Sequence, residues 1–140
     1  MRIFKLTARY PSEHQEQTRV VSWSQSLHAR RLYPELENLI SIPNGSRRDA
    51  ATGAKLKAEG LAKGFPDLLF LYPSGQYHAL AIEMKAQRKG AALRPEQRQW
   101  IERLQAAGYA VSVCYGAQAA ISAIERYLRG ESLRLTKQGN

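Results

Sequence analysis

Cysteine is nearly absent from this chain. Cys114 stands alone among 140 residues, so neither a disulfide framework nor a thiolate metal site can be built from it. It falls in the apolar run Tyr109 to Tyr115 and reads as a small buried strand residue. Histidine is scarce too: His14, His28 and His78 are too dispersed for a zinc motif, and His78 falls on the core-facing parity of its strand, so each is read as structural. No apolar run reaches the roughly eighteen residues that a membrane span requires, and no charged-then-apolar leader opens the chain. Membrane insertion and secretion lack support, and a reducing cytoplasm is expected. No internal repeat or low-complexity tract is present, and residues 1–140 read as a single domain with a core of about 12–129 and a loose polar tail over 130–140.

Acidic residues are also few. Twelve Asp and Glu stand against 21 Lys and Arg, a net charge of +9, and such a surface attracts polyanions by displacing their condensed counterions. The excess is clustered. Ser46 to Lys63 holds Arg47, Arg48, Lys55, Lys57 and Lys63 against only Asp49 and Glu59, either a phosphate-holding connection or a solvated loop with a short helix.

Hydrophobic spacing orders the rest. Residues 12–29 read as a helix capped by Ser12, with Glu13 and Glu16 in the first turn and Val20, Val21, Trp23 and Leu27 as the buried stripe. Either Glu13 or Glu16 can look inward from the end of that stripe. Leu39 to Pro43 is a short strand closed by the turn signal Asn44-Gly45. Arg94 to Ala107 is a helix with Pro95 in its first turn and Gly108 at its stop, Tyr109 to Tyr115 a buried strand, and Ala117 to Leu128 a last helix. The order predicts an α/β fold, a small mixed β-sheet flanked by helices.

Gly64 to Lys85 carries the chemistry. One apolar strand begins at Asp67 and a second ends in Glu83-Met84-Lys85. Joined by a turn they run antiparallel, which brings Asp67 beside Glu83 and Lys85. Alternation puts Glu83 and Lys85 on one face, with Leu80, Ile82 and Met84 on the other. Gathered carboxylates repel unless a cation or proton neutralises them, and hard oxygen ligands suit Mg²⁺, with Mn²⁺ able to substitute. A lysine cannot ligate a metal, but it can orient an attacking water or offset developing negative charge. Hydrolysis of a phosphodiester fits that set, whereas Glu83 and Lys85 alone would read as a surface ion pair. Gln97, one turn before Ile101, can reach the cluster, and Phe65 is either a packed core ring or an aromatic wedge.

These residues together resemble the VRR-NUC family, the virus-type replication and repair nucleases of the PD-(D/E)xK superfamily with its restriction-endonuclease-like core. The likeness runs from about Glu13 to Leu128. It rests on Glu13 with Gln17, Ile42-Pro43-Asn44-Gly45, Lys55 to Gly60, Gly64-Phe-Pro-Asp67, Ile82-Glu-Met-Lys85, and Pro95-Glu-Gln97 with Trp100, Leu104 and Gly108-Tyr109. Met84 stands where family members often carry Leu or Val, a core-facing change. The resemblance implies Asp67, Glu83 and the backbone carbonyl of Met84 as metal ligands, Glu13 as the first-helix acid that can act through water, Lys85 to position the water, and Gln97 to assist. It further implies a homodimeric, stand-alone, structure-specific endonuclease in a bacterial or phage-infected cell, cutting branched DNA such as Holliday junctions, with no small-molecule cofactor. Rival readings are a less selective flap or duplex nuclease and a non-catalytic DNA-binding module. No motif separates ribose from deoxyribose.

Overall fold

A computed structural model of the chain describes residues 9–43 and 50–133. The expected Asn44-Gly45 turn, with Arg47 and Arg48, lies outside the described residues, as do Arg134 and Lys137. Among the described residues a four-stranded sheet runs in the order β1 (Leu39–Ser41), β2 (Leu68–Phe70), β3 (Leu80–Lys85), β4 (Ala110–Tyr115). The first three strands pair antiparallel and β3 pairs parallel with β4. Parallel neighbours need a crossover, here the helix α4 (Pro95–Ala106). The remaining helices are α1 (Glu13–Gln25), α2 (Leu27–Leu32), α3 (Ala50–Ala58) and α5 (Ala117–Leu128). This is the mixed, helix-flanked α/β sheet that the pattern predicts. No described helix is long and apolar enough to cross a membrane.

Alternation along β3 divides the interior. Leu80, Ile82 and Met84 join Leu68, Phe70, Cys114, Val20 of α1 and Ala120, Ile124 and Tyr127 of α5 in the main core. Ala81, Val111 and Ile101 of α4 form a smaller core on the opposite face. Burying side chains of this size stabilises the fold by roughly 1.5 to 3 kcal/mol each before entropy is counted. All six residues of β3 are buried, so Glu83 and Lys85 are carried into the sheet interior on the α4 side. They are not the surface ion pair that their spacing alone would allow.

Three details depart from the sequence reading. The single helix expected over 12–29 is broken at Ser26, which closes α1 and whose hydroxyl accepts the Ala29 N–H at 3.2 Å to start α2. The break leaves Leu27 out of the stripe and 68% exposed. At the other end, Leu133 is buried in the main core, so packing continues past residue 129. His78 is exposed, its ring edge-on to Tyr109, rather than core-facing.

Candidate active site

Register decides the geometry. Leu68 stands opposite Ile82, so Asp67, one residue before β2, comes level with the end of β3. Its carboxylate accepts the Met84 N–H at 2.8 Å while its backbone carbonyl accepts the Ile42 N–H at 2.8 Å, which ties the side chain to β3 and the main chain to the end of β1. The approach depends on Gly64. This residue has φ +85°, and a Cβ there would lie 2.6 Å from the backbone carbon of Glu96. Gly64→Ala is therefore expected to cost about 2 kcal/mol from strain and crowding together, read as a lowered urea midpoint at unchanged slope.

Gln97, in the first turn of α4, joins the parts. Its Nε2 donates to Glu83 Oε1 at 2.7 Å, and its Oε1 accepts from Lys85 Nζ at 3.1 Å and from the Arg94 N–H at 2.8 Å. One amide thus meets a cation and an anion at once, and only this orientation of its oxygen and nitrogen satisfies all three partners. Glu83 is 3% exposed and Lys85 5%. Asp67 and Glu83 lie close enough for the charge of each to bear on the other, and two ionised carboxylates so placed repel unless a proton or a cation comes between them. Burial and then the Asp67 charge push Glu83 up to about 8, and burial raises Asp67 as well. The charge of Glu13 adds to the upward push on both, so the first-helix acid lies within electrostatic reach.

The two first-helix acids have different environments. Glu13 is exposed at the margin of the cluster. Glu16 is 1% exposed and is occupied elsewhere, accepting the Ala117 N–H at the start of α5, with Arg19 at 3.3 Å and Gln87 at 3.5 Å. Among the described residues no three His, Cys, Asp or Glu side chains are arranged to hold a metal ion. The close set is the pair Asp67 and Glu83. A buried and a half-buried carboxylate that repel each other are nevertheless a fitting donor set for a hard divalent cation, since Mg²⁺ keeps several waters and takes only one or two protein carboxylates.

A pocket of about 140 Å³ opens over the pair, lined by Lys63, Phe65, Arg94, Glu96 and Gln97 among others. Phe65 lies edge-on to Trp100 at 5.0 Å, so the ring is packed on one side and borders the pocket on the other. Lys63 pairs with Glu96 at 3.1 Å. Lys55 and Lys57 lie exposed on α3, a helix with no buried residue. Sequence reasoning left open which of Glu13 and Glu16 turns inward, since the partner of Glu16 lies at the far end of the chain, and it passed over the cations Arg88, Lys89 and Arg94 beyond β3. The run Arg88-Lys89, beginning three residues beyond Lys85 of the acid-x-lysine motif, was the available signal.

The family model described as VRR-NUC domain matches residues 4–118. A solved structure described as a VRR_NUC domain protein is similar to this chain with a TM-score of 0.71 at 30% identity, covering 91% of this chain and 100% of that one. Comparison with curated protein sequences gives no significant match.

Proposed function

We propose a specific activity from the premise that this chain belongs to the VRR-NUC family of the PD-(D/E)xK superfamily and is a nuclease-type, DNA-processing protein. It is a Mg²⁺-dependent endonuclease that hydrolyses phosphodiester bonds in branched DNA, Holliday junctions included. The observation that carries the reading is the pairing of half-buried Asp67 with buried Glu83, tied through Gln97 to Lys85 beside a pocket.

Asp67, Glu83 and the backbone carbonyl of Met84 would hold the ion, which when bound lowers the pKa of its water and offsets charge on non-bridging phosphate oxygens. Lys85, held by Gln97 and within electrostatic reach of both carboxylates, orients the attacking water and stabilises negative charge developing on the phosphate. Glu13, at the solvent side, acts through water. The water oxygen bonds to phosphorus as the bond to O3′ breaks, leaving a 5′-phosphate and a 3′-hydroxyl that takes up the displaced proton. A two-fold homodimer would set two such centres against the two strands of a junction. Lys55, Lys57 and Lys63, with Arg47 and Arg48, supply backbone contacts, and the cytoplasm of a bacterial or phage-infected cell is the setting.

Labelled four-way junction, flap, duplex and single-strand DNA, each with Mg²⁺ or with EDTA, test this. Cutting of the junction in Mg²⁺ alone, lost in Asp67→Ala, is the expected result. Cutting that survives the chelator removes the metal from the account, and equal cutting of linear duplex removes the branch preference.

A further inference from the structure

The loop between β3 and α4 carries charge with no role in the carboxylate cluster. It is tied down at four points. Gln87 donates to Glu16 Oε2 and packs on Gly116, where any side chain would collide with its amide. Tyr115 Oη donates to the Ala91 carbonyl at 3.1 Å. Leu93 packs against the smaller core, and the Arg94 N–H is held by Gln97. Between these anchors Arg88 and Lys89 are exposed, and neither side chain has an ion-pair partner among the described residues. Glu16, buried at the first turn of α1, thus secures the start of this loop and the start of α5 together.

We propose that Arg88 and Lys89 form a tethered clamp for the phosphate backbone of duplex DNA, each neutralising one phosphate near the scissile one. The proposal rests on the nuclease reading above. Two features support it. The anchors present both cations without the ordering cost that a loose loop would incur on binding. Arg88 is also three residues beyond Lys85, at most about 10 Å along the chain, a span of roughly three steps of a DNA strand at about 3.4 Å each. The pocket-lining Arg94 continues the same basic edge to the mouth of the site.

The test is binding of a short fluorescein-labelled DNA duplex in EDTA, followed by anisotropy across a salt series. The Arg88→Ala/Lys89→Ala protein is expected to lower the slope of log K against log salt by about 2, at roughly 0.9 per phosphate. Between about 50 and 200 mM salt the wild type then loses about tenfold more affinity than the variant. Tyr115→Phe, which loosens the loop and keeps its charge, is expected to weaken binding several-fold at an unchanged slope. Arg126→Ala, at the far end of α5, is expected to leave both alone. A double variant with the wild-type slope and affinity overturns the clamp while leaving the nuclease reading intact. Wild-type binding without salt dependence overturns both.

Discussion

Lys85→Met is expected to lower the rate of DNA cleavage by about 10³-fold or more while leaving the protein folded. Methionine keeps the length and apolar stem of the lysine, so the β3 packing survives. What is lost is a positive charge 5% exposed, held at 3.1 Å by Gln97 and within electrostatic reach of two carboxylates. In so dry a place a fixed charge acts on a developing anion far more strongly than it would in water. Single-turnover cleavage of the junction with saturating protein measures the chemical step, and circular dichroism with a thermal melt checks the fold. A variant that cuts within tenfold of wild type would remove Lys85 from the chemistry.

The second large effect is on stability, and its direction is opposite to that of an ordinary carboxylate. Burial and the neighbouring Asp67 hold Glu83 at about 8 in the folded protein, above the ordinary 4.5. The native state therefore binds this proton more tightly than the unfolded chain does. Below about pH 4.5 both states carry it and the site costs nothing. As the pH climbs toward 8 the unfolded chain releases the proton while the native protein must keep it or tolerate the repulsion, so stability falls. In EDTA the loss between pH 5 and 8 should be on the order of 3 kcal/mol, about 10 °C in melting temperature for a chain of this size. Glu83→Gln keeps the shape and has no proton to lose, so its melting temperature should stay nearly level across that range even as its cleavage disappears. Millimolar Mg²⁺ at pH 8 should restore the wild type and leave the variant unchanged. A flat wild-type profile in EDTA would mean that the two carboxylates do not repel as their contact implies.

Much of this arrangement was legible in the sequence because it follows from the two-residue period of strands. Asp67, Glu83 and Lys85 share one side of the sheet, and Leu80, Ile82 and Met84 the other, by alternation and antiparallel pairing alone. The proximity of Gln97 followed from its position one turn before Ile101. Less legible was anything decided by a hydrogen bond between distant parts of the chain. Nothing within α1 distinguishes Glu13 from Glu16, because the partner of Glu16 is a backbone N–H one hundred and one residues later. The break at Ser26 was hidden because one capping hydroxyl outweighs a helical period that continues on paper through Leu27. Leu133 lies in a stretch whose composition is polar, and a single buried leucine there leaves no periodic trace.

The three contacts of Gln97 leave that position almost no chemical freedom. A side chain there must offer a lone pair to an ammonium and a backbone N–H, and a hydrogen to a carboxylate, all at one reach. Glutamate would turn the donor into a second repelling oxygen, lysine would oppose Lys85, and asparagine would fall short by a methylene. Neutral, two-ended and of this length, glutamine meets each demand, so its identity is set by the opposite charges on either side of it.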